Sequence, residues 1–129
     1  MTKQEKAQSL RERKDIHFNC AQSVLVTFAQ EAGLTEEEAF RLGGPFGAGM
    51  HRGCVCGAVT GGLMVLGLMG IPQVKATALM TEFQQDHGTL DCAQLLQKVQ
   101  RGEIEKSALC DGLVRQVVCY LEQAANEKD

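Results

Sequence analysis

The chain has no tryptophan, one tyrosine and five phenylalanines in 129 residues. A core without large rings must be aliphatic, filled by Leu, Val, Ala and Met. A basic excess is also missing. Thirteen Lys and Arg against sixteen Asp and Glu leave a net charge of -3, so no basic patch is available to neutralise a phosphate backbone and nucleic acid is excluded as a partner class. Residues Thr2 to Lys14 are polar and mixed in charge, with no apolar h-region, so no signal peptide is expected. The expected compartment is cytoplasmic, where thiols are kept reduced. There is no period-two alternation to mark a strand, no internal repeat, no low-complexity segment and no linker.

Those absences leave an all-α chain, a single helical domain over residues 1–129. A chain of this length can bury a core without staples, and 22% charged and 44% hydrophobic residues are ordinary globular values. The longest uncharged run, Gly53 to Val74, approaches the ~20 apolar residues that can span a bilayer. Gly57, Gly61, Gly62, Gly67, Gly70 and Pro72 interrupt it. The expectation is therefore no membrane span. The run reads instead as a Gly-rich central helix, Gly57 to Gly70, buried on all sides within a bundle of about six helices. Gly57 and Gly61 form a small-xxx-small pair that lets a neighbouring backbone approach closely.

The other helices follow from caps and stripes. Residues 2–14 read as a polar helix with little apolar face, peripheral or docked on a partner subunit. Asn19 caps a helix from Cys20 to Ala32 whose stripe is Ala21, Val24, Leu25, Phe28, Ala29 and Ala32, and Gly33 ends it. Thr35-Glu36-Glu37-Glu38 is a capping box. A glycine-rich loop, Gly43 to Gly53, comes next; its backbone is free to adopt positive φ or to cradle an anion. It follows no strand and lacks the Lys-Ser/Thr of a P-loop, so nothing marks it as nucleotide-binding. Pro72 starts a helix that ends at Gly88. Asp91 caps another, Cys92 to Gln100, closed by Gly102. The last runs from Leu109 to Ala125, opened by Ser107 or Asp111.

Six cysteines in a reducing compartment point to redox or metal chemistry more than to a disulfide framework. Cys20, Cys56, Cys92 and Cys110 each fall at an expected helix N-terminus, where unpaired amides and the helix dipole lower a thiol pKa. At 100° per residue Cys110 shares the stripe of Leu113, Val114, Val117, Val118 and Leu121, and Cys92 that of Leu95, Leu96 and Val99. Cys119 falls on the opposite face and is a bystander. Gly53, Cys54 and Gly57 flank Cys56 and are candidate cofactor contacts; Cys54 is also a candidate resolving thiol. Against this stands the bland alternative that free cysteines are small buried hydrophobes. The bland alternative for His17, His51 and His87 is a loop or helix-end histidine; the functional one is a ligand or proton shuttle.

Asn19-Cys20-Ala21-Gln22, the glycine loop, Cys56-Gly57-Ala58-Val59-Thr60-Gly61, Cys92-x-x-Leu95-Leu96, and Cys110 with Leu113-Val114 together resemble the C_GCAxxG_C_C family. That family is described as redox-active proteins with four characteristic cysteines, and the resemblance makes those four Cys20, Cys56, Cys92 and Cys110. Three functions follow as expectations. The first is thiol/disulfide electron transfer, with Cys56 attacking and Cys20, Cys92 or Cys54 resolving, fed by a redox partner protein or a small-molecule electron carrier. The second is an iron–sulfur cluster or other metal ion held by the same four cysteines. The third is a non-catalytic helical interaction module. The polar N-terminal helix and the glycine-packed faces are the surfaces through which a homo-oligomer would form.

Overall fold

A computed structural model describes residues 1–127, so the last two residues of the 1–129 domain lie outside the described residues. The fold is all-α. In order the helices are α1 (Lys3–Glu12), α2 (Cys20–Thr27), α3 (Glu36–Gly43), α4 (Gly57–Leu68), α5 (Gln73–His87), α6 (Cys92–Leu95), α7 (Gln97–Gln100) and α8 (Lys106–Asn126). A 3-10 turn (Gly44–Phe46) and a π-type turn (Gly49–Gly53) fill the loop between α3 and α4. Among the described residues, extended pairing is confined to one antiparallel bridge, Val55 with Asp91, and no helix is long and apolar enough to cross a membrane.

The core is organised by the contact of α4 with α2. A Cβ on Gly61 would stand 3.0 Å from the Ala21 carbonyl oxygen, and one on Gly57 would stand 3.0 Å from that of Phe46 and 3.2 Å from the Ala21 nitrogen. The two helices thus meet backbone against backbone. On its other side α4 meets α8 and α5, where a Cβ on Gly62 would lie 2.7 Å from Val117 and 3.2 Å from Leu79. Val24, Leu25, Phe28, Val59, Val65, Phe83, Val114, Val117 and Leu121 fill the space between, each almost wholly buried. This is the aliphatic core that the shortage of aromatics requires. Burying each such side chain contributes about 1.5–3 kcal/mol before entropy. Burial on all sides holds for the first turns of α4 only. Leu68, at its end, is 48% exposed.

The caps explain where helices begin. The Asn19 side chain accepts from Gln22 N–H at 2.7 Å, and the Gln22 side chain accepts from Asn19 N–H at 2.9 Å. Thr35 and Glu38 make the same reciprocal pair at α3. Gly88, at φ 78°, takes the left-handed position that ends α5.

Three boundaries and the placement of α1 differ from the sequence reading. α2 stops at Thr27, well short of Ala32. Ser23 and Thr27 turn their hydroxyls back onto the carbonyls of Asn19 (2.8 Å) and Ser23 (2.7 Å), a habit that bends helices, and the chain turns at Phe28 (φ -107°, ψ 16°). The helix expected over Cys92–Gln100 is broken at Leu96, where bonding tightens to i→i+3 steps such as Val99 N–H to Leu96 at 3.0 Å. α8 begins at Lys106, three residues before Leu109, because extended Glu105 is its N-cap and Leu109 N–H already donates to the Glu105 carbonyl at 3.0 Å. Finally, α1 is packed on its own chain. Ala7 and Leu10 are buried, Gln4 donates to the Arg115 carbonyl on α8 at 3.0 Å, and Lys3 pairs with Glu31 at 2.6 Å and covers the Phe28 ring at 5.2 Å.

Candidate functional site

Three structural devices bring cysteines from distant parts of the chain together. Cys20 is the first residue of α2, fixed by the Asn19 cap. Because Gly57 has no side chain, the start of α4 sits beside it: a Cβ on Gly57 would be 3.4 Å from the Cys20 Cβ. Cys56 is the N-cap of α4. The Val55–Asp91 bridge clamps its segment to the start of α6, with Cys56 N–H donating to the Leu90 carbonyl at 2.8 Å and Cys92 N–H to that of Cys54 at 2.7 Å. Cys110 comes from α8. With α8 starting at Lys106, Cys110 lies one turn inside that helix rather than in its first turn.

All four cysteines line one cavity of about 230 Å³. Leu95, Leu96, Leu109 and Leu113 form its apolar wall, and Arg11, Lys106, His17 and His51 supply its polar groups. No Asp or Glu is among the lining residues. Cys56 is buried, whereas Cys20, Cys92 and Cys110 are partly exposed. Gly57 lines the cavity; Gly53 and Cys54 do not. Gly53 faces Ala93, whose Cβ would be 2.8 Å from a Cβ placed there. Cys54 is exposed, its Sγ 4.0 Å from the Arg52 carbonyl. Cys119 is exposed on the far face of α8. His87 lies elsewhere, against Phe83 and 2.6 Å from the Gln116 side chain.

The electrostatics overturn a simple helix-terminus account. The thiol of Cys110, the one that is not at a helix start, is lowered to about 7. A hydrogen bond from Cys20 is the largest cause, and the charges of Arg11 and Lys106 act in the same direction against burial and Asp111. Cys20 moves the other way, well above its ordinary value, because it keeps its proton to donate to Cys110 and because it is buried. Cys56 is pushed up to about 11 by burial, which outweighs the amides of Ala58 and Val59 aimed at it. Burial raises Cys92 as well, with the nearby Cys110 adding to it. Half a unit of dipole charge does not compensate for lost hydration when the sulfur is deep. Burial thus favours the neutral form of Cys56, and Cys110 is the one of the four whose thiol is lowered.

Arg11 is the residue that sequence reasoning missed. Its guanidinium donates to Asp111 at 2.8 Å and to the Phe18 carbonyl at 2.8 Å, so it is held rigidly against the base of α8 with the cavity beside it. Nothing in a polar N-terminal helix marks one arginine among its charges. Lys106 was equally silent. A second surprise is the loop. Ala48, Gly49, Met50 and His51 are four consecutive left-handed residues (φ 51°, 62°, 61° and 58°), and three of them are not glycine. Each such residue costs on the order of 1 kcal/mol. The turn is held by Cys54 N–H donating to the Gly49 carbonyl at 3.0 Å, and it places Ala48 and His51 on the cavity wall.

A metal ion or cluster would have to be held by the same side chains. Among the described residues no three His, Cys, Asp or Glu side chains are disposed to hold a metal ion. The four sulfurs line a common cavity, but no three of them meet the spacing of metal ligands in this arrangement.

Residues 18–124 match the family described as "Putative redox-active protein (C_GCAxxG_C_C)". The chain belongs to that family. No curated protein and no solved structure matches it. In place of the Gly-Cys-Ala-x-x-Gly of the C_GCAxxG_C_C name, this member reads Val55-Cys56-Gly57-Ala58-Val59-Thr60-Gly61. The glycine directly after the cysteine is the residue that admits the Phe46 carbonyl and α2, as described above. In this C_GCAxxG_C_C protein the close fit of loop, α2 and α4 around the sulfurs depends on it.

Proposed function

We propose that the protein is a thiol/disulfide electron carrier whose working pair is Cys110 and Cys20. The observation that carries this reading is that both sulfurs line the same cavity beside Arg11 and that their protons are linked, Cys110 lowered to about 7 and Cys20 raised, which is the division of labour between an attacking and a resolving cysteine. The Cys110 thiolate attacks one sulfur of a disulfide and expels the other as a thiolate, leaving a mixed disulfide. The Cys20 thiol then loses its proton to the departing base and attacks Cys110 Sγ, expelling the second thiolate. The products are a Cys20–Cys110 disulfide and two reduced thiols. The protein loses two electrons and the substrate gains them. Cys56 and Cys92, both raised, shape the cavity as neutral thiols, which departs from the expectation that Cys56 attacks.

The reading is tested by exposing reduced protein to a small neutral disulfide, blocking free thiols and mapping bridged peptides by mass spectrometry. A Cys20–Cys110 bridge is expected, with a trapped mixed disulfide on Cys110 when Cys20 is replaced by Ser. A bridge that excludes Cys110, or a mixed disulfide on Cys56 in that variant, overturns the assignment.

A further inference from the structure

The cavity has a sign. Its lining carries Arg11, Lys106, His17 and His51 and no carboxylate, in a chain whose acids outnumber its bases, sixteen to thirteen. The charges do not cancel locally. Arg11 is matched by Asp111 at 2.8 Å. Lys106 has no ion pair among the described residues, and it acts on both Cys92 and Cys110. While Cys110 is a thiolate, Lys106 has a counter-charge. Lys106 is exposed, so it stands at the rim of the cavity, and once Cys110 is bonded in a mixed disulfide no anion of the lining faces that ammonium. A substrate bringing its own negative charge supplies one, and the thiolate it releases leaves past the same cation. Size limits the substrate too. At about 30 Å³ per water-sized group, 230 Å³ admits roughly eight such groups, room for a short mercapto acid.

We infer that the substrates of this site are small anionic disulfides, carboxylate-bearing molecules whose negative group is received by Lys106 as their sulfur reaches Cys110. This rests on the Cys110–Cys20 reading and adds the chemical class of what is reduced. Cys110 and the bound disulfide exchange as written above; the two released mercapto-carboxylates carry the two electrons, and the proton of Cys20 goes to one of them.

The test uses the reduced full-length chain and three disulfides of similar size: dithiodiglycolate (anionic), bis(2-hydroxyethyl) disulfide (neutral) and cystamine (cationic). Each rate is divided by that of the same probe with the urea-denatured protein. The expected order is anionic, then neutral, then cationic, with about five-fold between neighbours, the size of a partly exposed charge pair. The anionic advantage shrinks with added salt, and Lys106→Gln reduces the anionic-to-cationic ratio towards one. Salt dependence on the unmodified protein gives the answer even where the variant is unstable. Equal normalised rates for the three probes, with the Cys20–Cys110 bridge still forming, overturn the anionic class and leave the thiol reading standing. Failure of every probe to form that bridge overturns both.

Discussion

If a hydrogen bond from Cys20 and the charge of Arg11 create the Cys110 thiolate, reactivity should follow those two groups. At pH 7 a thiol of pKa about 7 is about half ionised, while an unperturbed one is ionised to only a few per cent. Lower basicity makes each thiolate a weaker nucleophile, by about three-fold per unit at a Brønsted slope of 0.4–0.5. The net advantage of Cys110 over an unperturbed thiol is then roughly three- to six-fold at pH 7. Against Cys56, at about 11, the same arithmetic gives roughly two orders of magnitude. The assay is modification by a neutral disulfide, dithiodipyridine, from pH 5 to 9, with each cysteine followed by peptide mass. The Cys110 rate should rise through pH 7 and level off above about pH 8, because the thiolate is the reacting form. Cys20→Ala, which removes the donor, should move the midpoint up, and Cys20→Ser, which keeps a hydroxyl donor, should move it less. Arg11→Met should also move it up. A midpoint unchanged in both Cys20→Ala and Arg11→Met, or earlier modification of Cys56, would refute the reasoning.

Three further outcomes are expected. Gly61→Val forces side-chain atoms against the Ala21 carbonyl, 3.0 Å from the Cβ position, and should cost about 1–3 kcal/mol; an unchanged urea midpoint would show that α2 and α4 can separate freely. Asn19→Ala removes the cap on α2 and the Asn19 side-chain bonds to the Gly43 and Gly44 carbonyls at 3.2 and 3.3 Å, so a loss of about 1–2 kcal/mol is expected in the same measurement. Cys56 is raised to about 11 when folded, so the stability it confers as a neutral thiol is complete below the unfolded thiol pKa of about 8.5 and is lost as pH climbs through about 11. The stability difference between the native protein and Cys56→Ala should therefore shrink from pH 8 to 11, and a constant difference would contradict a buried neutral thiol.

Helix class, the aliphatic core and most helix starts were legible because their signals are local. Asn19 with Gln22 and Thr35 with Glu38 are reciprocal caps written three residues apart, and the Gly57–Gly61 spacing announces close backbone contact. Three of the cysteines on the cavity wall, Cys20, Cys56 and Cys92, were legible by helix position, whereas the setting of Cys110 was not. α8 starts on Glu105, which has no side-chain cap bond to advertise it, so Cys110 read as a first-turn residue. Its low pKa comes instead from Cys20, ninety positions away, and from Arg11, ninety-nine away. Such long-range pairings leave no periodic trace. The left-handed run at Ala48–His51 was hidden for a related reason. Glycines foretell positive φ, whereas Ala48, Met50 and His51 adopt it around Gly49, which lies too close to Cys54 to admit a Cβ.

Arg11 gives α1 a standing out of proportion to its size. This ten-residue helix is anchored by two buried side chains, Ala7 and Leu10, and by polar contacts at its surface. Segments of that kind open at a free energy well below that of the whole protein. Each opening carries Arg11 away from Cys20 and Cys110 and releases Asp111 to face the sulfurs unopposed, which raises the Cys110 pKa and silences the thiolate. By linkage the relation runs both ways. A proton on Cys110 weakens the hold on α1, and amide exchange in residues 3–12 should quicken as the pH falls below that of the thiolate, once the intrinsic pH dependence of exchange is removed. The acidity of a sulfur and the docking of a terminal helix are one equilibrium seen from two ends.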